Sequence, residues 1–271
     1  MHLKAYAKIN PVLNVTGILN NGYHGIDTLM QSVSLSDDIY ISDAEGISII
    51  CEGVELEKNT AYRASVLFFE KLNIKPNVSI RIEKHIPSGA GLGGGSADAA
   101  AVLNLLNKKY GFPLTSDELL KIALKIGADV PFCVLGGTKR SEGIGEKLTN
   151  IEFNKKYFAV ILKTATKPST ALMYKKLDEF KNYNHPDTVK FISAYVNGDF
   201  EGMKAEGGNS FACLWSFDEI YDKLYQLGAD YVGLTGSGPC IFALFNNKDA
   251  ANECADKVKK LADVFVCETV N

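Results

Sequence analysis

Residues 87–97 read Pro87-Ser88-Gly89-Ala90-Gly91-Leu92-Gly93-Gly94-Gly95-Ser96-Ala97, with five glycines in the seven positions 89–95. They run straight into the helix formers Asp98-Ala99-Ala100-Ala101-Val102-Leu103. Glycines let backbone N–H groups approach a ligand closely, and a helix start adds unpaired N–H donors and the positive end of its dipole. The stretch therefore reads as a loop that binds an anion, with phosphate the fitting ligand. Three other places carry side chains suited to chemistry. Lys8 and Asn10 lie among apolar neighbours in Tyr6-Ala7-Lys8-Ile9-Asn10, and strand alternation puts both on one face. Spacing by itself reads Lys8 as a solvent-facing strand lysine. Tyr23 and His24 leave the Asn20-Asn21-Gly22 turn side by side, a pair able to stack on and hydrogen-bond a planar ligand or simply to face water. Asp129, in Gly127-Ala128-Asp129-Val130-Pro131-Phe132, is a lone carboxylate in an apolar, proline-stiffened turn. It either caps a helix end or pairs with a lysine.

Several nucleotide-binding patterns fail on this sequence. Gly89-x-Gly91-x-x-Gly94 satisfies the dinucleotide spacing almost automatically, but about 20 residues on stands Thr115-Ser116-Asp117-Glu118, a helix start and not a strand ending in an acid. A P-loop needs Gly-Lys-Ser or Gly-Lys-Thr where this chain has Gly95-Ser96-Ala97, and protein kinases carry His-Arg-Asp and Asp-Phe-Gly motifs that do not occur here.

The elements that must position these groups can be read in order. Residues 3–16 alternate as a long strand, and residues 30–42 and 47–51 give further strands. Asn59-Thr60 caps a helix over 61–72, and residues 78–82 form a strand leading into the glycine run. Helices follow over 96–108 and, from the capping box Thr115-x-x-Glu118, up to Gly127. Residues 138–146 are turn-rich and charged, with Lys139 and Arg140 free to meet phosphate or face solvent. The second half reads as a strand over 157–162, a helix from Pro168-Ser169-Thr170 that carries Tyr174, and helices near 187–196 and 216–227. It closes with a strand–glycine turn–strand over 231–245, a helix over 249–261 and a strand over 264–269. This order suggests an α+β chain of two lobes with a cleft between them.

The 271 residues, 46% hydrophobic, suffice for a large core, and a net charge of −3 provides no general attraction to nucleic acid or anionic membranes. Any anion must be held by local groups. Six cysteines with no Cys-x-x-Cys pair argue against a zinc site or a disulfide framework, and neither a signal segment nor a membrane-length apolar run is present. The expected location is the cytoplasm.

Taken together, the early strand lysine, Pro-x-Gly-x-Gly-Leu-Gly, the Gly-Ala-Asp turn and the late Thr235-Gly236-Ser237-Gly238 resemble the GHMP kinase superfamily. Ala7-Lys8-Ile9-Asn10, Asn21-Gly22-Tyr23-His24, residues 91–98, residues 127–132 and Gly143-Ile144-Gly145-Glu146 resemble one branch of it, which acts on 4-CDP-2-C-methyl-D-erythritol in the non-mevalonate route to isoprenoids. The resemblance implies a two-lobed fold with the active site in the cleft. An N-terminal ATP-binding lobe would span 1–152, and a ferredoxin-like C-terminal lobe would span 153–271. It implies transfer of the γ-phosphoryl group of ATP to the 2-hydroxyl of that substrate, with Lys8 and Asp129 as the catalytic pair. ATP would be held by Asn59 and by Pro87, Ser88, Gly89, Ala90, Gly91, Leu92, Gly93, Gly94, Gly95, Ser96 and Ala97. The cytidine substrate would be held by Asn10, Tyr23, His24, Thr170 and Tyr174. The superfamily's magnesium-binding serine is replaced by Gly94, so Mg²⁺ is expected to ride on the ATP oxygens with no dedicated protein metal site. The expected assembly is a monomer or weak homodimer. Other small alcohols of the superfamily are the alternative acceptors, against which Asn21-Gly22-Tyr23-His24 argues, and a catalytically silent ligand-binding relative is the other alternative.

Overall fold

The computed structural model describes all residues except Gly53, Val54, Lys167 and Lys181, and of Glu57 only the backbone. Two compact units interleave along the chain. Unit 1 comprises residues 1–8, 35–88 and 93–136, and unit 2 comprises 9–34, 89–92 and 137–271. Strands β1 (His2–Ile18) and β2 (His24–Asp43) contribute residues to both. They are joined by the turn in which the Tyr23 N–H donates to Asn21 Oδ1 at 3.1 Å.

In unit 1, β2 pairs antiparallel with β4 (Asn77–Glu83), which pairs in parallel with β3 (Gly46–Cys51). The α-helices that accompany the sheet are α1 (Thr60–Leu72), α2 (Gly94–Lys109), α3 (Ser116–Ile126) and α4 (Val130–Leu135). Helix α2 can sit in the core because its inward residues, Ala99, Ala100, Val102, Leu103 and Leu106, are small or aliphatic and buried. The capping box at α3 forms as the sequence predicts, with Thr115 and Glu118 bonding reciprocally. Residues 130–135, read from sequence as part of a stiff turn, are helical instead. Proline is tolerated in a first helical turn, where its missing N–H would have no partner. Helix α2 also starts two residues earlier than its side chains suggest, because glycine N–H groups serve as a first turn once the chain leaves the left-handed region at Gly93.

In unit 2, β5 (Thr138–Gly143) and β6 (Lys147–Asn150) form a hairpin, with β5 also paired to β2. The turn-rich reading of 138–146 missed this hairpin because its strands are charged. Arg140 donates two hydrogen bonds to Asp27, at 2.9 and 2.8 Å, and Lys139 donates to Asn150 at 2.9 Å, so these basic residues meet protein partners. Then come β7 (Phe158–Lys163), α5 (Thr170–Glu179), α6 (Thr188–Asn197) and α7 (Phe200–Glu206), the last unforeseen from sequence. A two-residue bridge β8 (Gly208–Asn209) and α8 (Asp218–Gln226) lead to β9 (Tyr231–Leu234), β10 (Cys240–Phe245), α9 (Lys248–Val258) and β11 (Asp263–Val270).

Strands β7, β9, β10 and β11 form an antiparallel sheet in the order β11-β7-β10-β9. Counted along the chain this is 4-1-3-2, the ferredoxin-like order. Val160, Leu162, Ile241, Ala243 and Phe245 alternate toward one face of that sheet and pack with Leu224 of α8 and Ala251, Cys254 and Val258 of α9. A second cluster joins Leu13, Val15 and Ile26 of β1 and β2 to Met173 and Leu177 of α5. Those two residues are four apart, one face of a helix, and their burial fixes the rotation of α5 and with it the direction of Tyr174.

Candidate active site

Lys8 and Asp129 meet within unit 1. Lys8 Nζ stands 3.5 Å from Asp129 Oδ2. Only 4% of the Lys8 side chain is exposed, against 34% for Asp129. The solvent-facing reading of Lys8 therefore fails, because strand alternation cannot tell a buried face from a wet one when a single charge lies among apolar residues. Asp129 is the N-cap of α4 by position, yet its side chain makes no capping bond and faces the lysine. The local cause is the break at Gly127, where α3 ends, followed at once by the new helix start. Burial and the neighbouring Asp129 charge push the Cys133 thiol up, which favours its protonated form.

The second part of the glycine run, Gly93, Gly94, Gly95, Ser96 and Ala97, belongs to the same unit. Gly93 has φ +71°, and a β-carbon there would come within 3.1 Å of Lys8 Cγ. The glycine turn thus lies directly on the lysine stem, and any side chain there would strain the backbone and press on that stem. Helix α2 begins at Gly94 with no side-chain cap, which leaves its first N–H groups for an anion. The Thr60 hydroxyl donates to the Gly95 carbonyl at 2.6 Å, and the buried Asn59 caps α1 by accepting from the Ala61 N–H at 2.9 Å. A β-carbon at Gly94 would sit 3.1 Å from Ile86 Cγ2 and 3.6 Å from Lys84 Nζ. Gly94 and Gly95 offer no side-chain oxygen to a metal, and the Lys84 ammonium lies beside Gly94.

That ammonium belongs to a charged group the sequence reading passed over. Lys84 Nζ donates to Asp37 and to Asp98, the latter at 2.6 Å. Asp37, fully buried, also accepts from the backbone N–H groups of His85 (2.5 Å) and Ile86 (2.8 Å), tethering the segment just before Pro87 and Ser88. Asp98 is 5% exposed, and its Oδ1 is the one buried side-chain polar atom without a partner among the described residues. Burial pushes its pKa up to about 7, against the pull of Lys84. The signal was present in the sequence as an aspartate one turn inside an otherwise alanine- and leucine-rich helix.

The remaining residues belong to unit 2. Gly89, Ala90, Gly91 and Leu92 fall in this unit; Gly91 has φ +77°, and a β-carbon on it would meet the carbonyl oxygens of Thr235 and Gly238 at 2.8 and 3.0 Å, so Gly91 lies against the turn that follows β9. Asn10 is buried and engaged with protein: Nδ2 donates to Thr28 Oγ1 at 3.0 Å, and Oδ1 accepts from the Gly236 N–H at 3.1 Å. It holds the same turn in place. His24 and Tyr174 stack with ring centroids 4.5 Å apart, and His24 Nε2 lies 2.7 Å from Asp178 Oδ1 on the next turn of α5. Phe211 packs edge-on against Tyr174 at 4.9 Å. Thr170 is exposed at the start of α5, and Tyr23 is 64% exposed. A glycine turn on a lysine–carboxylate pair, beside a helix start, is what a small-molecule phosphotransferase needs.

Residues 59–137 match the family described as GHMP kinases N terminal domain, and residues 211–263 match GHMP kinases C terminal. The two-lobed GHMP kinase fold is thereby defined. A protein of Clostridium botulinum (strain Alaska E43 / Type E3) described as 4-diphosphocytidyl-2-C-methyl-D-erythritol kinase is 38% identical to this chain, with all of both chains covered. One of Caldicellulosiruptor saccharolyticus with the same description is 40% identical, covering 100% of this chain and 95% of the relative. A crystal structure of 4-(cytidine 5'-diphospho)-2C-methyl-D-erythritol kinase superposes with a TM-score of 0.83 at 29% identity, covering all of both chains. The chain belongs to the 4-diphosphocytidyl-2-C-methyl-D-erythritol kinase family.

Proposed function

We propose that this protein transfers the γ-phosphoryl group of ATP to the 2-hydroxyl of 4-CDP-2-C-methyl-D-erythritol, a step of non-mevalonate isoprenoid precursor synthesis. The observation that carries the reading is the Lys8–Asp129 pair lying against Gly93 of the glycine run. Family membership supports the acceptor. The 2-hydroxyl oxygen forms the new bond to the γ-phosphorus, the bond to the β–γ bridging oxygen breaks, and ADP leaves. Asp129 orients the hydroxyl and receives its proton, a role worth about 10²–10⁴-fold. Lys8 stabilises the developing alkoxide and the charge on the transferring group. The transition state is loose, so holding both reactants in line contributes more than base strength.

ATP phosphates take the N–H groups of the glycine run, with Asn59 at the adenine end. Tyr23, His24, Thr170 and Tyr174 receive the cytidine part of the acceptor, and Asn10 shapes the methylerythritol end through the turn it holds. Mg²⁺ enters on ATP's own oxygens, because Gly94 and Gly95 provide no ligand. Cytoplasmic location and a monomer or weak homodimer complete the reading; no helix among the described residues is long and apolar enough to cross a membrane. A coupled ADP-release assay comparing CDP-methylerythritol with homoserine, mevalonate and galactose tests it. Turnover with the cytidine substrate alone is the expected result, and preference for any other alcohol, or no turnover, overturns the proposal.

A further inference from the structure

Away from the glycine run, one face of the unit 1 sheet gathers coordinating side chains that the phosphoryl transfer does not use. The β2–β4 register sets Asp38 directly opposite Glu83. Side chains of such a pair share a face, and two carboxylates in that relation repel unless cations stand with them. Two of the chain's four histidines converge on the same carboxylate. His85 Nε2 lies 3.4 Å from Asp38 Oδ2, and His2 Nε2, from β1, lies 2.6 Å from Asp38 Oδ1. One ligand atom from each of Asp38, Glu83 and His85 lies within 4.8 Å of the other two.

We propose that Asp38, Glu83 and His85 form a binding site for a borderline divalent cation of the Zn²⁺ class, with His2 orienting Asp38 from outside. The donor set is mixed nitrogen and oxygen, which suits Zn²⁺ and its neighbours; Mg²⁺ and Ca²⁺ prefer oxygens alone. Bonds of about 2.0–2.2 Å draw three such donors closer than they stand now, which side-chain rotation supplies because the His85 and Glu83 side chains are about half-exposed. Asp38 is fixed by its strand and by His2, the arrangement in which a partner outside the ligand set steers a ligating carboxylate. Glu83 keeps one oxygen on Arg81. Among the described residues its other oxygen has only a 3.4 Å contact from the Tyr40 hydroxyl, and that contact yields to a cation. The fourth position is left to water.

The test uses the full chain stripped of metal, titrated with Zn²⁺ by calorimetry and with Co²⁺ by visible absorption. One equivalent should bind the wild type. That phase should vanish in His85→Ala and in Glu83→Gln, and weaken by roughly 10–100-fold in His2→Ala. Circular dichroism of each variant checks folding, and these half-exposed positions leave the core untouched. The Co²⁺ spectrum should show ligand-field bands without a sulfur charge-transfer band. Equal binding by the wild type and His85→Ala, no binding by either, or a thiolate band that puts the metal on a cysteine overturns the site.

Discussion

Lys8 Nζ and Asp129 Oδ2 stand 3.5 Å apart, the lysine closed off from water and the carboxylate open to it. Such an asymmetric pair fixes one charge and leaves the other accessible to a hydroxyl. Asp129→Asn keeps the shape and removes the proton acceptor, so kcat should fall by about 10²–10⁴-fold while KM for ATP stays within a small factor. Steady-state kinetics in both substrates checks this. Substantial turnover with intact ATP binding would reject the role.

Gly93 and Gly89 both hold positive φ, +71° and +66°, but only Gly93 has a neighbour where a β-carbon would go. Alanine at either position carries the backbone penalty of about 1–2 kcal/mol. Gly93→Ala alone also presses on the Lys8 stem. Its kcat should therefore drop well below that of Gly89→Ala at similar loss of thermal stability. Equal activities of the two variants would count against coupling between the turn and the lysine.

One ring face of Tyr174 is covered by His24, which Asp178 holds in turn. If the acceptor's base stacks in this aromatic group, Tyr174→Ala should raise KM for the cytidine substrate far more than KM for ATP. His24→Ala should follow in the same direction by a smaller factor. Parallel changes in both Michaelis constants would rule out stacking.

Burial holds the folded Asp98 near 7, well above the 3.8 of an unperturbed aspartate. Between those values the folded protein keeps a proton that the unfolded chain has lost. The stability contributed by this group is therefore full below about 3.8, falls as pH rises through the window, and stays low above about 7. Asn at this position does not titrate. The Tm of Asp98→Asn should gain on the wild type as pH is raised from about 4 to about 7 and the gap should level off above that, by roughly 2–4 °C for each kcal/mol. Thermal melts across pH measure it; a gap that stays constant or closes contradicts the assignment of the shift to Asp98.

The sequence by itself determined the punctuation of the chain and the chemistry of its groups. The glycine run into α2, the Asn20–Gly22 turn, the Thr115–Glu118 capping box and the apolar runs of β7 and β10 are local, and local rules read them. Tertiary structure alone decided which distant groups meet. It buried Lys8, made Asp129 its partner, bound Arg140 to Asp27 and put Lys84 between two carboxylates. It also stacked His24 on Tyr174 and set Asn10 on the Thr235–Gly236 turn. These outcomes depend on which faces of strands and helices are covered. A charge in an apolar run is compatible with water or with a buried partner until the covering element is known, because its desolvation is offset only by the group that arrives opposite it.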